Sequence, residues 1–232
     1  MPQTREFDYF GDRISVLDRW RMQASLNVRR QIYDWFVRQV GGVAGKTVLD
    51  FGSTPDTLRS DSNCFIRWLL EDGATVYATS PENIEGLEVI FSGLKVVSFP
   101  PKPGSLGKVD CVISSAVIEH VGCEDCQVEH FETLYQLADR ILLTTPNRYH
   151  WLDFHTKLPL LHWLPKSWHR QILNGLGLTF WAKEENLNLL SETDLKQVLD
   201  RISMSQSKVS WYRPKFLGKI SNLVILINTI PE

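Results

Sequence analysis

TVLDFGSTPDTLRSDSN, residues 47–63, is the stretch of this sequence that decides its fold. It begins with β-branched and aromatic residues typical of a strand, and turn-forming residues follow at 52–56. Ser60, Asp61, Ser62 and Asn63 then offer N-caps to an apolar run with helical spacing, which comprises Phe65, Ile66, Trp68, Leu69 and Leu70. A strand, a tight turn and a helix predict the first βα unit of a nucleotide-binding sheet, whose ligand lies above the carboxyl end of the strand.

Composition and charge narrow the class of protein. The chain has 232 residues, of which 43% are hydrophobic and 22% charged, as in an ordinary globular domain. The formal net charge of −2 argues against a nucleic-acid partner. The polar, acidic start resembles no signal peptide, and no apolar run approaches the ~20 residues of a membrane span. The few cysteines (Cys64, Cys111, Cys123 and Cys126) fit free thiols in a reducing compartment, so we expect a cytoplasmic protein.

Residues 13–40 form the first predicted helix. Apolar residues recur there at steps of three and four, and Gly41 and Gly42 stop the pattern. We interpret residues 1–45 as an N-terminal helical extension that precedes a main domain at 46–232. The arginines interleaved with the apolar positions are predicted to form a solvated outer face: Arg19, Arg21, Arg29, Arg30 and Arg38.

Strands alternate with helices through the middle of the chain. After the first unit, further strands are predicted at 74–79, 94–98, 109–114 and 140–145, and a helix at 123–139. Such alternation implies a parallel sheet built from right-handed crossovers.

The last third departs from this alternation. Residues 150–178 are aromatic and interrupted by prolines, which favours two amphipathic helical pieces within a lid or insert at 150–190. A helix at 192–202 follows, with Ser191 as its cap and Asp194 in its first turn. Strands at 207–213 and 221–229 are too close in sequence for a helical crossover and must pair antiparallel. The predicted fold is therefore a doubly wound, seven-stranded α/β sheet, mostly parallel with an antiparallel last strand, and with a helical insert after strand five.

Three motifs carry a resemblance to a known family. VLDFGS (48–53), VDCVISSAVIEHV (109–121) and RILLTTPN (140–147), together with the antiparallel last strand, resemble class I S-adenosylmethionine-dependent methyltransferases of the small-molecule type. The resemblance covers residues 46–229. It implies a Rossmann-like fold, S-adenosylmethionine (SAM) as cofactor across the carboxyl ends of strands one to four, and transfer of a methyl group.

The resemblance also assigns cofactor-binding positions. The methionine part of the cofactor is expected at the first turn, the ribose near Ser80, the adenine near Phe99 and the sulfonium beside Ser115 and Ala116. At the first turn the residues concerned are Asp50, Gly52, Ser53, Thr54 and Asp56. Gly52→Val is expected to abolish cofactor binding and to leave the fold intact.

The sequence departs from the family pattern at three of these positions. The family's first turn usually carries three glycines, whereas Gly52 stands alone here. Ser80 stands where the family has an acid that contacts the ribose, and Glu82, two residues later, is the nearest acidic residue. The acid that contacts the adenine in the family is also replaced, around Phe99. A non-catalytic domain that keeps the fold and has lost cofactor binding is therefore the alternative. A dinucleotide oxidoreductase is disfavoured, because no Gly-x-Gly-x-x-Gly follows the first strand.

Two residues after strand four are the predicted catalytic groups. His120 is a candidate general base for an acceptor hydroxyl, and Glu119 is a candidate for orienting the substrate. The alternatives are a histidine that braces its helix and a glutamate that faces solvent. Methyl transfer to oxygen of a small-molecule acceptor is the predicted reaction.

The insert is predicted to recognise the acceptor. Its histidines (His150, His155, His162 and His169) each suit packing or exposure when taken singly, but they cluster with Tyr149, Trp151, Phe154, Trp163 and Trp168. The same segment is apolar and basic enough to rest on a membrane surface, so a lid and a surface element both remain open. A lipid-linked or saccharide acceptor fits either, and the sequence does not determine the oligomeric state.

One motif has the composition of a metal site. His120, Cys123, Cys126 and His130 are all zinc-ligand types, but they fall within eleven residues, whereas structural zinc sites usually join two separated pairs. We therefore predict no metal, and no thioredoxin-like redox role for the cysteine pair.

Overall fold

A seven-stranded sheet forms the centre of the molecule in a computed structural model, which describes residues 16–101, 106–202 and 207–229. The strand order is β3-β2-β1-β4-β5-β9-β6, and a separate two-stranded pair is formed by β7 and β8. The strands are β1 (Thr47–Phe51), β2 (Thr75–Thr79), β3 (Lys95–Val96), β4 (Val109–Ser115), β5 (Ala138–Pro146), β6 (Lys208–Tyr212), β7 (Lys215–Phe216), β8 (Lys219–Ile220) and β9 (Asn222–Asn228).

The direction of the strands confirms the predicted fold class. The five strands from β3 to β5 run parallel, and β9 runs antiparallel to both of its neighbours, β5 and β6. The last two strands of the sheet pair antiparallel as predicted. The position of β9 between β5 and β6 was not predicted, because a short link requires only that the two strands be adjacent.

Helices cover both faces of the sheet. They are α1 (Val16–Val40), α2 (Cys64–Glu71), α3 (Leu87–Ile90), α4 (Glu124–Leu137), α5 (Lys166–Gly175) and α6 (Glu192–Asp200). Apolar residues of α1 and α2 pack on one face, and those of α4 and α6 on the other. With helices on both sides, β1 and β4 are buried along most of their length, which explains their continuous apolar runs.

The N-terminal helix is part of this core. α1 buries Ile32, Tyr33 and Phe36 against α2 and the sheet, and it ends at Gly41 and Gly42, both at positive φ. Residues 13–15 of the predicted helix lie outside the described residues. The division of the chain at residue 45 stays a prediction.

The insert has a small core of its own. It contains one α-helix, α5, which begins after Pro165, and a single 3₁₀ turn at Leu161–Trp163, where two amphipathic helices were predicted. The buried hydrophobic residues of this small core are Leu173, Trp181, Ala182, Leu187 and Leu189. Beyond it, Ser191 and Asp194 form the capping box expected at the start of α6.

The loop between β1 and α2 corrects one prediction. The N-cap of α2 is Asn63 in the left-handed region (φ 52), and its side chain makes no cap bond. Instead Asn63 Oδ1 accepts a hydrogen bond from Thr54 N, and Asn63 Nδ2 donates to Thr54 O. The polar residues before the helix therefore hold the loop rather than the helix end.

None of the helices in the described part of the chain combines the length and apolar character needed to cross a bilayer.

Candidate functional site

The carboxyl ends of β1, β2 and β4 meet at one edge of the sheet, and the turn after β1 is tied to β2 there. Gly52 N and Ser53 N both donate to Thr79 O, at 2.8 and 3.3 Å. These two amides are therefore used within the protein. Ligand binding at this turn must rely on side chains and on other backbone groups.

Asp50 is the buried carboxylate of this edge. It is 8% exposed, and its Oδ1 accepts a hydrogen bond from the Ser53 hydroxyl. Burial raises the pKa of Asp50 to about 6, against the opposing effects of the Ser53 hydrogen bond and the positive charge of Arg29. A buried carboxyl whose charged form is poorly compensated is suited to a cationic ligand group such as an ammonium.

Gly52 lies directly against the turn that follows β4. Its φ is +94, and a Cβ built at this position would lie 2.4 Å from Val117 Cγ2. The expectation that Gly52→Val leaves the fold intact is therefore wrong, because the valine would have to adopt a left-handed backbone and would clash with Val117. Val117 also covers the space above this glycine.

Thr54 and Asp56 are engaged within the loop itself. Asp56 Oδ1 accepts from Leu58 N and Arg59 N, and its Oδ2 accepts from the Ser62 hydroxyl at 2.6 Å. Thr54 Oγ1 accepts from Asp56 N. These contacts make Asp56 a brace of the loop, with both carboxylate oxygens occupied.

A cavity opens beside Phe99, the predicted adenine position. Its volume is about 320 Å³, and it lies between the ends of β1 and β3 and the helix α4. Phe99 is 44% exposed and its ring packs 5.6 Å from that of Phe51. The lining comprises Phe51, Phe99, Pro100, Val121, Cys126, Glu129, His130 and Thr133. Two aromatic rings and a volume in the range of small-ligand pockets suit a planar heterocycle.

The remaining predicted cofactor positions line the same edge. Ser80 is buried just beyond β2, and its Oγ accepts from Glu82 N. Ser115 ends β4, where its hydroxyl lies 3.2 Å from that of Thr144. Ala116 follows in the left-handed region at φ 59, an unusual conformation for a residue with a side chain.

Glu119 and His120 lie in a 3₁₀ turn after β4, and neither faces solvent freely. Glu119 is fully buried, so the solvent-facing alternative is wrong. Its Oε2 accepts from the Thr145 hydroxyl at 2.9 Å, while its Oε1 has no hydrogen-bond partner. His120 Nδ1 lies 2.7 Å from Asn186 O, so this nitrogen carries the proton and donates. Burial, reinforced by the charge of His155, lowers the pKa of His120.

His155 from the insert completes a cluster with these two residues. Its Nε2 lies 3.1 Å from His120 Nε2 and 3.9 Å from Glu119 Oε1. Its Nδ1 lies 3.1 Å from Asp153 Oδ1, and Asp153 is held in turn by Thr156. Burial acts to lower the pKa of His155, but the hydrogen bond and charge of Asp153 together with the charge of Glu119 outweigh it and raise the pKa.

The sequence missed three contributors to this edge. Arg29 was assigned to a solvated outer face; instead it is half-buried and its Nη1 donates to Asp61 O at 2.6 Å. Its charge acts on both Asp50 and Glu119. Asp153 and Asn186 fix the two imidazoles, and only the Asp-x-His spacing of 153–155 offered a signal for the first of them.

The motif of two histidines and two cysteines does not form one site. Cys123 Sγ and Cys126 Sγ lie 3.2 Å apart, but His130 is buried against Ser114, 2.9 Å from its hydroxyl. Burial lowers the pKa of His130 to about 4. Within residues 16–101, 106–202 and 207–229, the one group of three metal-ligand atoms is Glu119, His120 and His155.

Solved methyltransferases share the architecture of this chain. It is similar to magnesium protoporphyrin IX methyltransferase from Synechocystis PCC 6803 with bound S-adenosylhomocysteine (SAH), at 16% identity and a TM-score of 0.59, over 95% of this chain and 90% of that one. It is also similar to a SAM-dependent methyltransferase from Mesorhizobium loti, at 14% identity and a TM-score of 0.52, over 84% and 97% of the two chains.

A third similar structure is a cyclopropane-fatty-acyl-phospholipid synthase-like protein from Lactobacillus casei ATCC 334, at 10% identity and a TM-score of 0.56, over 92% and 94% of the chains. No protein-family profile and no curated protein matches this sequence. At these identities the comparisons establish the fold, which is that of the class I SAM-dependent methyltransferases.

Proposed function

We propose that this chain, which has the class I methyltransferase fold, transfers a methyl group from SAM to an oxygen of a small-molecule acceptor. The observation that carries the proposal is the 320 Å³ cavity beside Phe99, at the same sheet edge as Asp50 and the polar turn after β4. Ligands of doubly wound sheets bind at this edge. Bound SAM and SAH in similar solved structures support the choice of cofactor.

The residues present suit the parts of this cofactor. Phe51 and Phe99 would hold the adenine, Ser80 the ribose, and Asp50 with Ser53 the ammonium of the methionyl group. When bound, SAM supplies a methyl group already activated by its sulfonium. The chain then has to orient the acceptor in line with that methyl and exclude water, which supplies much of the rate.

His120 is placed to remove the proton of an acceptor hydroxyl. Because its Nδ1 donates to Asn186 O, the neutral ring presents its lone pair at Nε2, toward His155, whose place an acceptor hydroxyl would have to take. The lowered pKa keeps this ring neutral at neutral pH, as a base requires. Glu119 would orient the acceptor through Oε1, the oxygen without a partner.

The insert supports an amphipathic acceptor. Trp151 is 42% exposed and stacks on Trp163, and Lys219 Nζ lies 4.1 and 4.0 Å from the centres of these two rings. If Lys219 moved off these rings, the tryptophans would contact the face of a sugar ring and the lysine would contact an acidic headgroup. Such an acceptor, free or lipid-linked, is part of the proposal.

A second candidate is a domain of the same fold that no longer binds cofactor. The contact of Val117 with Gly52, and the use of the Gly52 and Ser53 amides by Thr79 O, favour it. In this case the cavity beside Phe99 would hold no adenosine.

Calorimetric titration with SAH distinguishes the two candidates. We expect saturable heat from the full chain, and binding at least roughly tenfold weaker in Asp50→Ala and in Phe99→Ala, because each removes a proposed contact. Trp168→Ala, an exposed aromatic of the insert, is the matched control and should bind as the wild type does. If near-millimolar SAH gives no heat, the methyltransferase proposal is rejected in favour of the second candidate, a domain that does not bind the cofactor.

A further inference from the structure

We propose that Glu119 Oε1, His120 Nε2 and His155 Nε2 form a binding site for one divalent transition-metal ion. All three atoms lie within 4.8 Å of one another. Zinc bound tetrahedrally at about 2.0–2.2 Å by nitrogen and oxygen holds its ligand atoms about 3.3–3.6 Å apart. The separations of 3.1 Å between the two nitrogens and 3.9 Å between His155 and Glu119 are close to that spacing.

Both imidazoles are fixed in the tautomer that metal binding needs. His120 Nδ1 donates to a backbone carbonyl, Asn186 O, and His155 Nδ1 donates to a carboxylate, Asp153 Oδ1. A histidine ligand usually donates its other ring N–H to a group of this kind, which sets the ring orientation and strengthens the ligand. When both rings are neutral, the two Nε2 lone pairs meet at 3.1 Å, and this contact needs a proton or a metal ion between them.

Glu119 supplies an independent indication of a missing partner. Its side chain is fully buried, Oε2 is held by Thr145, and Oε1 is left without a hydrogen bond. An unpaired buried carboxylate oxygen is costly. A shared proton between the two histidines would relieve their repulsion but would leave this oxygen unpaired, whereas a metal ion satisfies all three atoms.

The geometry fits an open site. Two histidines and one glutamate hold catalytic zinc in some hydrolases, and two histidines with one carboxylate hold iron in oxygenases, in each case with coordination positions free for water or substrate. The side chain of His155 is 13% exposed, so the cluster can be reached from solvent. Trp181 packs against both imidazoles and limits their movement.

A metal here would change the role of His120. A lone pair bound to a metal cannot also accept a proton, so the ion would lower the pKa of a coordinated acceptor hydroxyl in place of the bare imidazole. This consequence rests on the proposed methyl transfer and favours acceptors with a metal-coordinating hydroxyl. The metal site itself does not depend on SAM.

Cobalt(II) titration of the chelator-treated full chain, in the absence of SAM, tests the site. We expect one Co²⁺ per chain, with weak visible bands and without the intense near-ultraviolet bands of thiolate ligation. His155→Ala and Glu119→Gln should each weaken binding by more than roughly a hundredfold, because each removes a direct ligand, whereas the loss of an outer partner typically costs ten- to hundredfold. The matched control is Cys123→Ser/Cys126→Ser, which removes the neighbouring thiol pair and should leave binding unchanged.

Two results would overturn the site. One is no Co²⁺ or Zn²⁺ binding by wild-type chain at millimolar metal; the other is binding with thiolate bands that vanishes in the double cysteine variant. If His155→Ala does not fold, the melting temperature decides: Zn²⁺ should raise it in the wild type and not in Glu119→Gln. If the chain binds metal but gives no heat on titration with SAH, the proposed methyl transfer is rejected and the metal site is retained. If it gives heat with SAH but binds no metal, the metal site is rejected and the methyl transfer is retained.

Discussion

The two sides of the sheet edge differ in how their carboxylates are satisfied. In the turn after β1, Asp56 receives hydrogen bonds on both oxygens from its own loop. Across the edge, Glu119 is more deeply buried and has one oxygen bonded to Thr145 and the other bare. Both groups belong to loops that follow parallel strands, so their position in the fold does not explain the difference.

This difference distinguishes a carboxylate that stabilises its own loop from a carboxylate that is available to bind a ligand or an ion. The loop that contains Asp56 is held by local hydrogen bonds, and removal of the Asp56 side chain should lower the free energy of unfolding. The cluster of Glu119, His120 and His155 joins two parts of the chain that are 35 residues apart, and its two Nε2 atoms face one another at 3.1 Å. A buried polar group without a partner is costly, and it persists where a ligand or ion satisfies it.

The largest effect is expected where the two sides touch, at Gly52. Gly52→Ala should lower the free energy of unfolding by about 4 kcal/mol, since it adds a left-handed alanine to an overpacked contact with Val117. Gly45→Ala shares the positive φ but has nothing within 4 Å, and should cost about 1–2 kcal/mol. Urea denaturation measures both. If the double variant Gly52→Ala/Val117→Ala recovers part of the lost free energy of unfolding, the clash lies between these two side chains. Equal losses for Gly52→Ala and Gly45→Ala would exclude a clash at position 52.

The second effect concerns the pH dependence of Asp50. Burial raises its pKa from 3.8 to about 6, so the folded state keeps a proton that the unfolded state has lost. The wild type should therefore lose stability from this group as pH rises from about 4 to about 6, by about 3 kcal/mol in total. Asp50→Asn has no titrating group at this position, so its free energy of unfolding relative to the wild type should increase between about pH 4 and pH 6 and stay constant above that range. A constant difference between pH 3 and 8 would contradict the shift.

The smallest effects are opposite in sign and test the comparison most directly. Asp56→Ala should lower the free energy of unfolding by about 2 kcal/mol, because three donors of the loop lose their acceptor. Glu119→Gln in metal-free buffer, at an alkaline pH where both imidazoles are neutral, should raise it by about 1 kcal/mol, because an amide can donate toward the facing imidazoles where the carboxylate cannot. Thermal and urea unfolding under chelation measure both, and destabilisation by Glu119→Gln would show that the bare oxygen has a partner.

Much of the fold was predictable because its signals are local. The apolar runs of β1, β4 and β9, the glycines after α1, and the capping box at Ser191 each depend on neighbours in sequence, and the structure has them within a few residues of the predicted bounds. The predicted cofactor positions from Asp50 to Ala116 reach one edge for the same reason, since parallel strands end together. Their role in binding stays a prediction.

The errors fall where a long-range contact overrides a local pattern. Arg29 has the spacing of a surface residue on α1, yet its guanidinium is half-buried because it donates a hydrogen bond to the backbone carbonyl of Asp61. Asn63 has the composition of a helix cap, yet it binds Thr54 nine residues earlier. Glu119 stands among apolar residues that give no sign of its burial beside the insert.

The sequence by itself determined the order of the seven strands of the main sheet, their alternation with helices, and the antiparallel closing pair, because periodicity and turn chemistry act over a few residues; it did not indicate the short helix α3 or the β7–β8 pair. Only the tertiary structure decided that β9 lies between β5 and β6, that Val117 meets Gly52, and that His155 meets His120 across 35 residues of chain. Those contacts join segments with no shared local signal, and only packing of the insert against the turn after β4 brings His155 within bonding distance of His120.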